Sequence, residues 1–318
     1  MHTILGSGGA IGNDLALRLN KKGKAVRLVS RNPVAVNPND ELASVDLTSG
    51  RNLENAVKGS EVCYLTVGLP YTTAYWEKHW VPLMTRVVDA CIRHEVRLVF
   101  FDNVYGLGED AVGHITESAP LKPSSRKGTV RAACDRLLLD HVEKGKLNAI
   151  VARAPDFFGV RGGTSAAMLM MYENLLKGKA SQWLCNADVP HSFGYVPDLA
   201  EGTALLGCSN DAWNKAWNLP VDPIAPNARQ WVQMFAEAMG KTDTRVQVLP
   251  KWGMRMIGLF VKPVAEMVEM AYQFDRPYHF DSSAFCKHFA FSPTDNRKAI
   301  QTVVQQLNGS SSIQLNEK

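Results

Sequence analysis

The sequence has no long uninterrupted apolar run and no leader-like segment. A membrane-spanning helix needs about 20 consecutive apolar residues, and the nearest candidate is residues 254–272. Four charged residues and a proline interrupt it: Arg255, Lys262, Pro263, Glu266 and Glu269. The chain passes from Met1-His2 directly into a strand-like segment, without the basic and apolar regions of a signal peptide. We therefore expect no secretion and no membrane partner.

Cysteine pairs with metal-site spacing and long basic runs are also missing. The six cysteines show no CxxC or zinc-like pattern and mostly lie in apolar segments, which predicts reduced core thiols, a cytoplasmic protein and no metal site. The 35 basic and 31 acidic residues give a formal charge of +4 that is spread along the chain. This pattern excludes a typical nucleic-acid groove and is compatible with anionic small ligands.

A glycine-rich turn stands at the start of the chain, between a strand-like and a helix-like segment. Gly6, Gly9 and Gly12 permit a tight turn, close approach of a pyrophosphate and close helix packing. The helix that follows supplies amide donors and a partial positive charge. The turn predicts dinucleotide binding through Gly6, Gly8, Gly9, Ala10, Ile11 and Gly12.

Apolar runs alternate with helical segments over the first half of the chain. This alternation predicts an α/β fold, a doubly wound parallel sheet of the Rossmann type, over residues 1–158. The pattern becomes irregular after Pro155. We expect residues 159–307 to form mainly a smaller substrate lobe, interleaved through return segments near 190–220, and residues 308–318 to form a flexible tail.

The residues after the second strand favour NADP over NAD. NAD-selective sites place an acidic residue there to bind the ribose 2′-hydroxyl, whereas a 2′-phosphate requires an arginine. This chain has Ser30 and Arg31 at that point, although Arg31 as a solvated loop residue is the alternative. Asp46 and Leu47 are expected near the adenine, and Val67 and Gly68 near the ribose and pyrophosphate.

Several motifs together resemble the extended short-chain dehydrogenase/reductases, the NAD(P)-dependent epimerase/dehydratase group. They are the glycine turn, Asp46-Leu47, Val104-Tyr105-Gly106, Glu117 with two following prolines, and the segment from His191 to Asp198. The resemblance covers most of the length and implies a nicotinamide-dependent oxidoreductase, epimerase or dehydratase.

The catalytic pair of that family is missing. Its members use a Tyr-x-x-x-Lys pair, in which the lysine lowers the tyrosine pKa for proton exchange. Alignment with the family pattern places Lys127 at the tyrosine position and Arg131 at the lysine position, and no Tyr-x-x-x-Lys occurs anywhere in the chain. The chain is therefore identified as an atypical member.

Lys127 and Arg131 allow two interpretations. As site residues they hold an anionic substrate group or the cofactor phosphates, or Lys127 acts as an acid or base. As structural residues they lie on a solvated helix start capped by Ser124 or Ser125, with Arg131 paired to Asp135.

Asp102 and Asn103 follow the fifth strand and are expected to hydrogen-bond across to that helix. Asp102 either pairs with Lys127 or Arg131, or relays a proton. Catalytic candidates are therefore Lys127, Arg131, Asp102 and Asn103.

Four further residues are candidates for substrate contact. Tyr71 and Tyr75 either enter the pocket in place of the lost phenol or pack a lid. Asp156 and His191 flank segments expected near the entrance, where each is alternatively a satisfied polar residue of the fold.

The sequence thus predicts an NADP-binding atypical oxidoreductase or epimerase/dehydratase-like enzyme. Its expected substrate is a small hydroxyl or carbonyl compound, with anionic compounds among the candidates. The alternative is a non-catalytic NADP-binding sensor or regulatory module. The expected oligomeric state is a monomer or a homodimer.

Overall fold

A computed structural model describes residues 1–161 and 165–315. The strands, in chain order, are β1 His2–Leu5, β2 Val26–Ser30, β3 Glu41–Ser44, β4 Val62–Leu65, β5 Arg97–Asp102, β6 Ala149–Arg153, β7 Phe157–Phe158, β8 Ser181–Leu184, β9 Gly194–Tyr195, β10 Lys215–Asn218 and β11 Val246–Leu249. The α-helices are α1 Ala10–Lys21, α2 Leu53–Val57, α3 Thr73–Arg93, α4 Arg126–Glu143, α5 Glu173–Leu176, α6 Val196–Cys208, α7 Ala228–Ala238, α8 Lys251–Gly258, α9 Lys262–Val268, α10 Ser283–Phe289 and α11 Asn296–Leu315.

Seven strands form one parallel sheet in the order β10-β6-β5-β4-β1-β2-β3. The sheet is doubly wound, because the chain runs from β1 towards β3 on one side and from β4 towards β10 on the other. The winding reverses between β1 and β4, which pair with His2 opposite Val62. A crevice at the carboxyl ends of the strands at such a point is where α/β folds bind ligands.

Both faces of the sheet are covered, which explains why β1, β4 and β6 are buried along their whole length. One hydrophobic core contains Ile4, Tyr64 and Val99 and includes residues of α1 and α6. The core on the other face contains Leu5, Leu65 and residues of α3. Strand β10 comes from the second half of the chain, inside the segment 190–220 expected to return to the sheet.

A third hydrophobic core lies in the second half of the chain. It joins the π-helical segment Ala167–Tyr172 to α7 and α11, around Trp231 and Phe235. The methionine-rich sequence of residues 164–177 predicts one helix, but the structure has this π-helical turn followed by α5. Residues 162–164 lie outside the described part of the chain. Helix α11 extends to Leu315, so the predicted tail 308–318 begins within it and residues 316–318 lie outside the description.

The sequence of residues 254–272 predicts a helix interrupted at Pro263, but the first helix ends five residues before that proline. Helix α8 ends at Gly258, and Pro263 is in the first turn of α9. Proline lacks an amide hydrogen, so it is well tolerated in the first turn of a helix, where that hydrogen has no partner. None of the described helices is long and apolar enough to span a membrane.

Candidate active site

The glycine turn lies over the reversal point of the sheet. Gly6 has φ +112°, and a side chain there would place its Cβ 2.5 Å from the backbone nitrogen of Val67. A Cβ on Gly12 would lie 2.8 Å from the carbonyl oxygen of Gly6. Only glycine fits these two positions, because the loops after β1 and β4 and the start of α1 are packed backbone against backbone.

The turn has groups suited to hold an anion. Helix α1 starts at Ala10 without a side-chain cap and without an acidic residue in its first turn, so the amides of Ala10, Ile11 and Gly12 have no helical partner. The Ser7 hydroxyl is buried and has no hydrogen-bond partner among the described residues. Gly8 has φ +91° and open space beside it. These residues fit the pyrophosphate of a dinucleotide.

The residues predicted around the adenosine lie at the same edge of the sheet. Ser30 ends β2 and the exposed Arg31 follows it. The Asp46 carboxylate accepts hydrogen bonds from the amide and hydroxyl of Thr48, which lower the pKa of Asp46, and the nearby Arg31 lowers it further. Leu47 is buried beside it. Val67 and Gly68 follow β4, and the backbone of Val67 lies against Gly6.

Lys127 is fully buried and its ammonium is surrounded by protein acceptors. It donates to the Thr73 hydroxyl at 2.8 Å, to Glu266 Oε2 at 2.6 Å, to Glu269 Oε1 at 2.9 Å and to the Glu266 carbonyl at 2.9 Å. We refer to Thr73, Lys127, Glu266 and Glu269 as the clasp. The interpretation of Lys127 as a solvated residue is wrong, because α9 closes over it.

The clasp joins the first turns of two helices to α9. Glu266 accepts from the Thr73 amide at the start of α3, and Glu269 accepts from the Arg126 amide at the start of α4. Carboxylates are stabilised at helix N-termini, where amides are unpaired. Desolvation opposes ionisation, but hydrogen bonds from Lys127 and Thr73 outweigh it and lower the pKa of Glu266 to about 2.

Arg131 forms a buried ion pair with Asp102, the last residue of β5. Its Nε lies 2.5 Å from Asp102 Oδ1, and its Nη2 contacts the same oxygen. The guanidinium also lies 4.0 Å from the centroid of the Trp80 ring. The predicted pairing of Arg131 with Asp135 is wrong, since Asp102 reaches the guanidinium from the neighbouring strand.

The start of α4 is capped by one of the two predicted serines, but it is not hydrogen-bonded to Asn103. Ser125 is the residue that caps α4, accepting from the Gly128 amide. Asn103 does not bond across to α4, because its side-chain oxygen accepts from the Tyr105 amide in its own loop. Lys127 and Arg131 are both paired with carboxylates, so neither is free to bind a substrate anion or a cofactor phosphate in this arrangement.

A second buried acid lies behind Arg131. Asp135 Oδ2 is 3.5 Å from Arg153 Nη2, and its other oxygen has no hydrogen-bond partner among the described residues. Burial, together with the charge of Asp102, raises the pKa of Asp135 well above its usual value. Asp135 and Arg153 are therefore buried structural residues next to the ion pair of Arg131 and Asp102.

Two tyrosine hydroxyls meet beside the clasp. Tyr71 follows β4, and its hydroxyl lies 3.3 Å from that of Tyr105, which follows β5. The Lys127 ammonium lies 4.8 Å from the centroid of the Tyr71 ring. Trp76 contacts both tyrosine rings. Burial raises the pKa of both phenols, so both are protonated at neutral pH and each is a weaker acid than a solvated phenol.

Of the other substrate candidates, Asp156 and His191 lie near the two tyrosines, whereas Tyr75 does not. The charge of Asp156 raises the pKa values of Tyr71 and Tyr105, so this carboxylate lies near the hydroxyl pair. His191 Nε2 lies 3.0 Å from Asp156 Oδ2, and its buried ring stacks on Tyr278. Tyr75 instead packs on His79 one turn further along α3, partly exposed.

Sequence reasoning missed the counterions of Lys127. Glu266 and Glu269 are three residues apart, which places both carboxylates on one face of a helix. That spacing was visible in the sequence. The helix on which they pack lies about 140 residues earlier in the chain, and nothing in the local pattern indicates that contact.

A comparison with protein-family models matches residues 2–219 to the NAD dependent epimerase/dehydratase family. The match spans the seven-stranded sheet and the glycine turn. The chain belongs to this family. A search of curated proteins found no significant match.

Solved structures of the same architecture align with nearly the whole chain. A dTDP-glucose 4,6-dehydratase from Bacillus anthracis in complex with NAD is 16% identical, with a TM-score of 0.78 and coverage of 97% of each chain. MoeE5 in complex with UDP-glucose and NAD is 20% identical, with a TM-score of 0.80 and coverage of 97% of this chain and 99% of the other. A Thermus thermophilus UDP-glucose 4-epimerase in complex with NAD is 18% identical, with a TM-score of 0.74 and coverage of 97% and 99%. The TM-scores show that these structures share the fold of this chain.

Proposed function

We propose that this family member is an NADP-dependent oxidoreductase that reduces a small carbonyl compound, with Tyr71 as the proton donor. The observation that carries the proposal is the pair of half-buried phenol hydroxyls, Tyr71 and Tyr105, next to a buried lysine at the carboxyl edge of a dinucleotide fold. The epimerase and dehydratase activities of structural relatives place sugar nucleotides among the compounds to be tested.

The cofactor would be held by the glycine turn and by the start of α1. The amides of Ala10, Ile11 and Gly12 and the Ser7 hydroxyl are available to a pyrophosphate, and Gly6 and Gly12 let the loops after β1 and β4 and the start of α1 pack backbone against backbone. Arg31 supports a preference for the 2′-phosphate of NADP, with Ser30 beside it and no carboxylate at the end of β2. When bound, a nicotinamide dinucleotide supplies or accepts a hydride.

Reversing the charge of Arg31 tests the cofactor preference. We expect Arg31→Asp to weaken NADPH binding by at least about tenfold, because a charge-assisted hydrogen bond is lost and a repulsion is added. NADH binding should stay nearly unchanged, since that nucleotide has no 2′-phosphate. Fluorescence titration with both nucleotides measures the difference.

The control is Lys146→Asp, which makes the same charge change before β6, at the opposite edge of the sheet. It should leave both affinities unchanged. Equal losses for NADPH and NADH in the Arg31 variant would contradict the assignment of the 2′-phosphate to Arg31.

The clasp has a positioning role in this proposal. Lys127 lies against the Tyr71 ring, and Glu266 and Glu269 hold its ammonium in place. The Tyr71 phenol holds its proton at neutral pH and is placed to donate it to a carbonyl oxygen. Burial raises the Tyr71 pKa and opposes the transfer, whereas the Lys127 ammonium beside the ring stabilises the phenolate that the transfer leaves. The Tyr105 hydroxyl is placed to return a proton to Tyr71.

One observation favours a non-catalytic NADP-binding sensor as the second candidate function. At the position where the family pattern has its tyrosine, Lys127 is fully buried and saturated by protein acceptors. A protein that only binds nucleotide needs no exposed acid or base at that position.

A turnover screen separates the two candidates. Aldehydes, ketones and sugar nucleotides are incubated with NADPH, and its oxidation is followed by absorbance. Oxidation that depends on one substrate class supports the enzyme. Tight NADPH binding with no oxidation across the panel would instead favour the sensor.

A further inference from the structure

An exposed apolar patch covers the end of the hairpin formed by α8 and α9. Of the twelve large hydrophobic side chains that are exposed among the described residues, six lie between Trp252 and Val261. Phe260 is 88% exposed, Leu259 72% and Trp252 71%. Single exposed apolar residues are ordinary, whereas a cluster of this kind marks an interaction surface.

The helix geometry makes this cluster one continuous surface. Trp252, Met256 and Leu259 are spaced at i, i+4 and i+7, so they form one stripe along α8. On the opposite face Met254 is fully buried, and its sulfur lies 3.6 Å from Cys185 Sγ. Met254 thus attaches α8 to the rest of the protein, while the stripe faces outward.

The charges within the patch have one sign. Arg255 and Lys262 are exposed, and neither forms an ion pair with another described residue. Residues 252–265 contain no aspartate or glutamate. The nearest carboxylates of the hairpin, Glu266 and Glu269, are bound in the clasp. The surface is therefore apolar and positive, without a carboxylate of its own.

These charges argue against a second copy of the chain as the occupant. In a symmetric dimer the same patch meets itself, which brings unpaired cations together and offers them no carboxylate. A stable protein interface also uses about 20–30 residues from each partner. The exposed end of this hairpin, residues 252–262, supplies fewer.

We propose that the α8–α9 hairpin docks on the surface of an anionic phospholipid bilayer. Trp252, Met256, Leu259 and Phe260 enter the boundary between headgroups and acyl chains. Arg255 and Lys262 keep their charged ends at the headgroup phosphates, with their aliphatic parts along the apolar surface. This proposal departs from the expectation of no membrane partner, which was based on the lack of a spanning segment; the hairpin lies on the bilayer instead of crossing it.

Vesicle sedimentation with the full chain tests the proposal. The protein should sediment with vesicles of phosphatidylcholine and phosphatidylglycerol, and at least about tenfold less with phosphatidylcholine alone, because the two cations each add to binding at an anionic surface. Added salt should weaken the binding, since exposed charges are screened. Arg255→Gln/Lys262→Gln should remove most of the preference for anionic vesicles.

An apolar variant tests the stripe independently of charge. Leu259→Ser/Phe260→Ser should lower partitioning by at least about tenfold, because two large apolar side chains no longer leave water. Val34→Ser/Ile224→Ser is the matched control, since it changes two exposed apolar residues outside the hairpin. All of these variants leave the clasp and Met254 intact, so their thermal unfolding should match that of the unsubstituted chain.

Trp252 provides a direct signal, because it is the most exposed tryptophan of the described residues: Trp213 is only partly exposed, and the other five, Trp76, Trp80, Trp183, Trp217 and Trp231, are buried. Anionic vesicles should shift the tryptophan emission to shorter wavelength, and Trp252→Phe should abolish most of that shift. The proposal is overturned if the hairpin and control variants sediment alike, or if neither vesicle binds the protein. Phe260-dependent self-association without vesicle binding would also overturn it, in favour of a second copy.

Discussion

Replacing Glu266 and Glu269 together by glutamine should lower the free energy of unfolding by about 3–5 kcal/mol, the usual effect of leaving one partner of a buried ion pair unmatched. The loss acts directly on Lys127, because its side chain is completely buried and these two carboxylates are its counterions. Glutamine keeps the shape and an acceptor oxygen but removes the negative charge. Urea unfolding measures the change.

A third substitution separates the effect of the unmatched charge on stability from the effect of altered packing. Adding Lys127→Met to the double variant should restore much of the stability, because an apolar side chain of similar volume needs no counterion. The matched control is Glu237→Gln, which removes a carboxylate from the exposed pair with Arg297 and should change stability little. If the clasp variant were as stable as this control, Lys127 would not depend on α9 for its charge.

The clasp also predicts a response to acid. The pKa of Glu266 is about 2 in the folded protein and about 4.5 in its unperturbed form. A carboxyl with a lowered folded pKa contributes stability that is complete above the unfolded value and is lost as pH falls towards the folded value. Between about pH 4.5 and 2, the unsubstituted chain should therefore lose more stability than the glutamine variant.

Tyr71→Phe should lower kcat for carbonyl reduction by about 10²- to 10⁴-fold, the range expected when a positioned general acid is removed. NADPH affinity should stay unchanged, because the hydroxyl lies beside Tyr105 and away from the glycine turn. The ring is retained, so its contacts with Trp76 and Lys127 persist. Steady-state kinetics on the substrate found in the turnover screen, with a nucleotide titration, measures both quantities.

Tyr172→Phe is the control for this variant, since it removes a phenol hydroxyl from the third hydrophobic core. It should leave kcat unchanged. Tyr105→Phe should give an intermediate loss, because Tyr105 donates to or accepts from Tyr71 and does not replace it. A Tyr71→Phe enzyme with full activity would exclude this phenol as the proton donor.

The sheet and the glycine turn could be predicted from the sequence because their signals are local. Gly6, Gly9 and Gly12 are required within one turn, and the strand before them and the helix after them carry their own periodicity. The structure confirms the doubly wound parallel sheet. Its edge strand β10, Lys215–Asn218, joins the sheet only after a long excursion of the chain. A strand of four residues at the edge gives little periodic signal.

The contacts of the candidate site were less predictable because they are long-range. Alignment placed Lys127 correctly on the helix after the fifth strand, but its partners come from Thr73 and from α9. Asp102 was expected to pair with either Lys127 or Arg131, and in the structure it pairs with Arg131. The meeting of Tyr71 and Tyr105 likewise depends on two loops brought together by neighbouring strands.

Transfer of deuterium from labelled NADPH tests most directly whether the bound cofactor reacts. NADPH carrying deuterium at both hydrogen positions of the nicotinamide C4 is incubated with the protein and the panel of carbonyl compounds, and the products are analysed by mass spectrometry. We predict an alcohol product that carries one deuterium, formed by the unsubstituted chain and strongly reduced in Tyr71→Phe. Saturable NADPH binding with no deuterium in any product would contradict the account and leave a nucleotide-binding sensor.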